Sequence, residues 1–178
     1  MHWRRLLRYR KGISLGQEME ISFRKTNTED AELLIELYNA SFYDDFIRYG
    51  ECPGYGKTRK MMEESIRKNP KHVIFCDNEP VGCVSCKELE KGKYEVGCLC
   101  VIPEYQGMGI GTAAMEFAKS YYFDWEKFTL ITPADKTGNI IFYTDKCGFR
   151  IQPAEMDGNI KVVRFVLERQ TDMEDKRR

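Results

Sequence analysis

The sequence predicts an α+β fold, a mixed and mostly antiparallel sheet flanked by helices. Three apolar strand patterns separated by tight turns fill residues 72–102, which is typical of an antiparallel meander. Helical patterns precede this meander and a helix–strand–helix pattern follows it, so strands and helices do not simply alternate. The length of 178 residues favours one domain.

Before the meander we predict one strand and two helices. Polar and apolar residues alternate over residues 20–25, which indicates a half-buried strand. Thr28 is predicted to cap a helix with one apolar face. The glycine- and proline-broken stretch 41–56 is interpreted as a helix end and loop, and a second helix is predicted over 58–67.

From residue 72 onward, the spacing of apolar residues and the positions of turn-forming residues predict the remaining elements. They are strands over 72–76, 81–89 and 94–102, a helix over 110–121, a strand over 128–132, a helix over 138–146, and strands over 149–151 and 161–167.

We expect the folded domain to span residues 19–169. Residues 1–18 are basic and show no hydrophobic period, so we interpret them as a poorly ordered N-terminal extension. Residues 170–178 form a charged tail, expected to fray.

Composition argues against several classes of function. Basic and acidic residues each total 28, so the zero net charge disfavours a nucleic-acid binder that relies on bulk charge. No apolar run reaches the ~20 residues that cross a bilayer. With seven cysteines in apolar segments and no secretory signal, we expect free thiols in the cytoplasm. We expect no nucleic-acid, membrane or metal partner, and a monomer or homodimer.

A glycine-rich turn follows the last strand of the meander. Gly107, Gly109 and Gly111 alternate there, and helix-forming residues begin at once. Glycines permit positive φ, and the start of a helix offers unpaired N–H groups, an arrangement that suits a pyrophosphate. The alternative is a turn that serves packing only. The spacing does not match the dinucleotide fingerprint G-x-G-x-x-G.

Two motifs resemble those of the GNAT acetyltransferases. The first is Gln106-Gly107-Met108-Gly109-Ile110-Gly111, which matches the family's Gln/Arg-x-x-Gly-x-Gly/Ala, with glutamine in place of the commoner arginine. The second begins at Asn139, continues through Phe142-Tyr143 and ends at Gly148-Phe149. The resemblance covers about residues 21–167 and implies the family's fold, in which the sheet splays at its fourth strand.

The resemblance implies acetyl-CoA as co-substrate and a set of residues that hold it. The pyrophosphate is expected on the backbone of Gln106, Gly107, Met108, Gly109, Ile110, Gly111 and Thr112. The pantetheine and thioester are expected beside Leu99, Cys100 and Val101. Asn139 and Tyr143 are four apart on the predicted helix and share a face, and both are expected to contact the cofactor.

The resemblance also implies two catalytic roles. Tyr143 is expected to protonate the departing CoA thiolate, and the alternative is an aromatic core residue. Glu95 lies on the same strand face as Leu99 and Val101 and is a candidate general base. An exposed carboxylate without a catalytic role is an equal alternative for Glu95.

The acceptor is expected near the first two helices, where carboxylates lie among aromatic residues. Tyr43, Asp44, Asp45 and Tyr49 could hold a cationic amine by charge and cation–π contact. A solvated charged face beside core aromatics is the alternative. The predicted function is acetyl transfer to a primary amine by direct attack in a ternary complex. A catalytically inactive CoA-binding sensor or scaffold is a second hypothesis, and transfer of a longer acyl group is a third.

Two other patterns are rejected as sites. Gly50 is one position out of register for a P-loop ending at Lys57-Thr58. Cys83 and Cys86 are three apart in a predicted strand and point to opposite faces, which disfavours a shared zinc ion.

Overall fold

The computed structural model describes residues 5–9 and 19–170, which form an α+β fold with a mixed sheet. Its elements are β1 (Arg5–Tyr9), β2 (Met19–Lys25), α1 (Ala31–Tyr49), α2 (Arg59–Lys68), β3 (Lys71–Cys76), β4 (Glu79–Glu90), β5 (Lys93–Val101), α3 (Ile110–Tyr121), β6 (Lys127–Pro133), α4 (Thr137–Ile141), β7 (Arg150–Ile151), β8 (Glu155–Asp157) and β9 (Ile160–Glu168). The chain divides into two compact units: a first unit within Met1–Lys87 and Val96–Tyr121, and a second unit within Glu88–Glu95 and Tyr122–Arg178. The predicted fold class is confirmed.

The first unit is built on successive strands. β2 pairs antiparallel with β1 and β3, β3 pairs antiparallel with β4, and β4 neighbours β5. One core cluster joins α3 to these strands and includes Phe23 and Phe117, whose rings stack at 4.2 Å. A second cluster joins α1 and α2 to the strands through Leu34, Tyr38 and Met62. These two clusters hold the end of β5 and the start of α3 in place within the first unit.

The helix predicted to begin at Thr28 begins differently and runs longer. Asn27, not Thr28, is the cap, because its side chain accepts a hydrogen bond from Glu29 N at 2.8 Å. A single 3-10 turn then leads into α1, which continues to Tyr49. The helix end predicted within 41–56 lies at Tyr49, so the helix continues through nine residues of that stretch, because no glycine or proline interrupts the chain before Gly50. Gly50 ends α1 with φ +74°.

The second unit contains a mixed set of pairings. The start of β5 pairs parallel with β6, over Lys93–Glu95 against Lys127–Thr129. β6 pairs antiparallel with β9, which also pairs with β7 and β8. The helix predicted over 138–146 is α-helical only as far as Ile141 and continues as a π-helical turn over Phe142–Lys146. The spacing of apolar residues in the sequence does not distinguish an α-helix from a π-helical turn.

Some predictions about the termini lie outside the described residues. A strand at Arg5–Tyr9 pairs with β2, and no sequence period predicted it. The predicted domain limits and the nature of the remaining terminal residues stay predictions. Among the described residues, no helix is long and apolar enough to cross a membrane.

Gly82 is required by a close approach between β4 and β5. A Cβ atom at this position would lie 2.2 Å from the carbonyl oxygen of Cys100, so the backbone would have to move. We expect Gly82→Ala to lower the free energy of unfolding by about 2–4 kcal/mol, measured by urea denaturation. Gly97→Ala is the matched control, because the nearest atom to its Cβ is Ser85 O at 4.0 Å, an ordinary contact. Equal effects of the two substitutions would contradict the account of this contact.

His72 is a buried imidazole in the first unit. It is 4% exposed, its ring packs edge-on against Phe117 and Tyr121, and Nε2 has no hydrogen-bond partner among the described residues. Burial, with a smaller contribution from the charge of Lys25, lowers the pKa of His72 from 6.5 to about 4.

The His72 pKa predicts a loss of stability in acid. Between the two pKa values the unfolded chain holds the extra proton and the folded chain does not, so stability falls as pH drops from 6.5 to about 4. The full loss is about 3 kcal/mol, and none of it is present at pH 7.5 or above. Urea denaturation at high and low pH should show the loss in wild type and a smaller loss in His72→Phe, which keeps an aromatic ring. Equal acid losses in both proteins would refute this assignment.

Candidate active site

The glycine-rich turn lies directly after β5 in the first unit. Pro103–Tyr105 form one 3-10 turn, Gly107 and Gly109 then take φ of +74° and +85°, and α3 begins at Ile110. These positive φ values explain why glycine occupies both positions. The predicted strand–turn–helix arrangement is confirmed, and α3 has the predicted limits.

The side chain of Gln106 has a structural role in this turn. Its Nε2 donates a hydrogen bond to the carbonyl oxygen of Val101 at 2.9 Å. The bond ties the start of the turn to the end of β5, an interaction that sequence alone did not indicate. Gln106 therefore holds the backbone of the turn against the end of β5. Unlike the arginine that is commoner at this position of the motif it resembles, it adds no charge.

Backbone amides at the start of α3 are oriented for an anion. Ala113 N donates to Gly109 O at 3.0 Å, a bond that closes the first turn of α3. The N–H groups of a helix's first turn generally have no acceptor within the helix itself. The positive end of the helix dipole lies at the same point. A Cβ built on Gly107 meets no atom within 4 Å, which leaves space beside the turn. The turn can therefore accept a phosphate-bearing ligand on its backbone.

The residues predicted to hold the thioester lie on β5 with alternating environments. Leu99 and Val101 are partly buried against the cluster that contains α3, whereas Cys100 is buried against the cluster that contains α1 and α2. Glu95 has the same strand parity as Leu99 and Val101 and is partly exposed, opposite Thr129 in the second unit. Solvent therefore reaches part of the Glu95 side chain.

Asn139 and Tyr143 both lie in the second unit. Asn139 Nδ2 donates to Thr132 Oγ1 at 2.8 Å. Tyr143 is 8% exposed, and its ring contacts Phe149 and Phe165 at centroid distances of 5.7 and 5.4 Å. The predicted shared face assumed a continuous α-helix, but the helix changes to a π turn at Phe142, between the two residues. Single π turns occur frequently at functional sites, and Tyr143 lies within this one.

The candidate acceptor residues lie on the last turns of α1, in the stretch that was predicted as a helix end and loop. Tyr43 is 51% exposed and lies 6.0 Å from the ring of Tyr55, while Phe46 stacks on Tyr55 at 4.6 Å. Asp44 is exposed and Asp45 is partly exposed. Arg48 covers the ring of Tyr49 at 5.6 Å. We call Tyr43, Phe46 and Tyr55 the aromatic patch.

The aromatic patch differs from the predicted acceptor set. The structure brings Tyr43 together with Phe46 and Tyr55, whereas the ring of Tyr49 already faces a cation of the chain itself. The grouping depends on the loop after α1, where Gly56 N donates to Asn39 Oδ1 at 2.9 Å. In the sequence, only the glycines on either side of Tyr55 indicated that this loop folds back toward α1.

Comparison with known proteins gives a consistent result. The model of the acetyltransferase (GNAT) family matches residues 31–149, more than half of the chain. The uncharacterized protein YrkN of Bacillus subtilis is 41% identical over 51 residues, which are 29% of this chain and 28% of YrkN, so the match spans less than a third of that relative.

Solved structures share the fold. An acetyltransferase from Thermus thermophilus superposes with a TM-score of 0.67 at 18% identity, covering 83% of this chain and 96% of the other. The PaiA N-acetyltransferase of Thermoplasma acidophilum, solved in complex with coenzyme A, has a TM-score of 0.65 at 20% identity, covering 81% and 97%.

Proposed function

Because the chain belongs to the acetyltransferase (GNAT) family, we propose that it transfers the acetyl group of acetyl-CoA to a primary amine. The observation that carries the proposal is the turn between β5 and α3, in which two positive-φ glycines lead directly into the first turn of α3. Coenzyme A bound to the similar Thermoplasma protein supports the same ligand class here.

We assign the binding of the pyrophosphate to the backbone from Gln106 to Thr112. Amides that are held in place before the ligand arrives lose no conformational freedom on binding. The hydrogen bond from Gln106 to Val101 keeps the turn in register with β5, whose residues Leu99 to Val101 are proposed to hold the pantetheine. Asn139 is proposed as a further cofactor contact.

Acetyl-CoA supplies an activated acyl group, and this chain supplies orientation and proton transfer. Backbone donors on β5 are proposed to polarise the thioester carbonyl. Tyr143 is proposed to give a proton to the departing thiolate, and Glu95 to take one from the amine. A neutral amine can then attack directly in a ternary complex.

Substitution of Glu95 tests its role as a base. Glu95→Gln should lower kcat/KM at neutral pH by about 100-fold, because general-base catalysis typically contributes at least that factor. The deficit should shrink at high pH, where the amine loses its proton to solvent. Glu88→Gln, an exposed carboxylate on β4, is the control. A pH profile identical to that of wild type would leave Glu95 without a catalytic role.

The acceptor is proposed to be a cationic amine with further positive charge. The exposed Asp44 beside the aromatic patch offers a carboxylate for charge pairing and ring faces for cation–π contact. Polyamines fit this surface better than amines that carry a carboxylate.

A turnover assay tests the proposed function. The full chain is incubated with acetyl-CoA and, separately, a polyamine, an amino sugar, an amino acid and a lysine peptide, and the acetylated product is measured by mass spectrometry with thiol release. We expect amine-dependent release, highest with the polyamine. Binding of acetyl-CoA without turnover on any amine would favour the inactive sensor or scaffold.

A further inference from the structure

The segment that joins α1 to α2 in the first unit lies along one face of α1. We call residues 50–58 the α1–α2 loop. The α1 residues that it contacts have the spacing i, i+3, i+4, i+7 of a single helix face, and they are Asn39, Phe42, Tyr43 and Phe46. The loop therefore has a defined position on the helix.

The side chain of Asn39 bonds the backbone of this loop. Gly56 N donates to Asn39 Oδ1 at 2.9 Å, and Asn39 is only partly exposed. The residue before Gly56 is Tyr55, whose ring stacks on Phe46 at 4.6 Å with an angle of 15° between the rings. The bond from Gly56 therefore fixes the backbone directly beside the ring that completes the aromatic patch.

Gly54 provides a second contact between the loop and α1. A Cβ atom built on Gly54 would lie 2.4 Å from Phe42 Cδ2 and 2.8 Å from Phe42 Cγ, so the backbone of the loop lies directly against this ring. Phe42 in turn packs edge-on against the buried ring of Tyr38 at 5.7 Å. Because Phe42 is already packed against Tyr38, we expect a larger residue at position 54 to displace the loop.

Holding the loop in one conformation has an entropic cost. Three of its nine residues are glycines, Gly50, Gly54 and Gly56. Glycine loses more conformational freedom on ordering than any other residue. The contacts with Asn39 and Phe42 offset this loss, so they determine how fully Tyr55 occupies its place in the aromatic patch.

We propose that Asn39 is a positioning residue for the acceptor: it holds the α1–α2 loop so that Tyr55 completes the aromatic patch before the amine arrives. The inference rests on the proposed function, because the aromatic patch is the surface assigned there to the cationic amine. Rings that are held in place beforehand lose little further freedom on binding, so the bond to Gly56 raises the affinity for the amine. Asn39 lies outside the turn assigned to acetyl-CoA, so its effect is confined to the acceptor.

Calorimetric titrations of the full chain with spermidine and, separately, with acetyl-CoA test the proposal. Asn39→Leu removes the acceptor for Gly56 N and keeps a side chain of similar size, whereas Asn39→Asp keeps an acceptor oxygen. We expect about fivefold weaker spermidine binding in Asn39→Leu, which corresponds to the loss of one exposed cation–π contact. Asn39→Asp should bind spermidine at least as tightly as wild type, and both variants should keep their affinity for acetyl-CoA.

Two further variants separate positioning from general destabilisation. Gly54→Ala, which displaces the loop at its contact with Phe42, should weaken spermidine binding by a similar factor. Asn69→Leu is the matched control, because Asn69 is a partly exposed asparagine at the end of α2, outside the loop, and this variant should bind both ligands as wild type does. Hydrogen exchange of residues 50–58, followed by mass spectrometry, should be faster in Asn39→Leu and Gly54→Ala than in wild type.

The combination of exchange and affinity decides the role of Asn39. Faster exchange in Asn39→Leu with unchanged spermidine affinity would overturn the proposal, because Asn39 would then stabilise the loop without affecting the acceptor. A wild-type chain that binds acetyl-CoA but not spermidine would also overturn it, and would leave acetyl transfer to another amine in place. A wild-type chain that binds spermidine but not acetyl-CoA would contradict the proposed function, while the comparison of Asn39→Leu with wild type would still decide the role of Asn39.

Discussion

Replacing Gly109 by alanine should weaken acetyl-CoA binding by about 100-fold. Gly109 has φ +85°, a conformation that costs an L-residue about 1–2 kcal/mol, so the turn will relax and displace the amides of α3. Each hydrogen bond from an amide to a charged phosphate contributes about 1.5–3 kcal/mol, and the loss of one or two accounts for the factor. Isothermal titration calorimetry on the variant measures the change.

Gly56→Ala is the matched control for this substitution. Gly56 also has positive φ, +69°, and a Cβ there meets no atom within 4 Å. The two variants should therefore lose similar conformational stability, while Gly56→Ala keeps its affinity for acetyl-CoA. Equal losses of affinity would show that the effect is general destabilisation. Wild-type affinity in Gly109→Ala would remove the turn from the cofactor site.

Replacing Tyr143 by phenylalanine should lower kcat by about 100-fold and leave the affinity for acetyl-CoA nearly unchanged. The substitution removes the proton donor, and general-acid catalysis typically contributes this factor or more. The ring contacts with Phe149 and Phe165 are kept, so the core retains its packing. Initial rates at saturating amine, with calorimetry for acetyl-CoA, separate the two quantities.

Tyr94→Phe is the control for the loss of a buried tyrosine hydroxyl in the same unit. Tyr94 is also buried, and its hydroxyl donates to Asp124 Oδ1 at 2.8 Å. This variant should lose about 1 kcal/mol of stability and keep kcat. Wild-type kcat in Tyr143→Phe would mean that Tyr143 is a core aromatic only.

The sequence predicted elements best where local chemistry decides the structure. The helix after the glycine turn has the predicted limits because backbone φ at Gly107 and Gly109 is a local property. The helix α1 was predicted too short, because polar and aromatic residues after Ser41 resemble a loop although no residue before Gly50 breaks a helix. The π turn at Phe142 was missed, since its identity depends on hydrogen bonds that leave no period in the sequence.

The parts of the candidate site that escaped prediction depend on contacts between distant residues. The bond from Gln106 to Val101 needs the strand end and the turn to be placed in space. The aromatic patch joins α1 to Tyr55 across a loop.

Calorimetric titration of the wild-type chain with acetyl-CoA, with ATP as the control nucleotide, tests the central claim most directly. Both ligands carry phosphates, but only acetyl-CoA carries the pantetheine that β5 is proposed to hold. The account predicts saturable binding of acetyl-CoA at one site per chain and much weaker binding of ATP. A folded chain that binds neither ligand, or both equally, would contradict it.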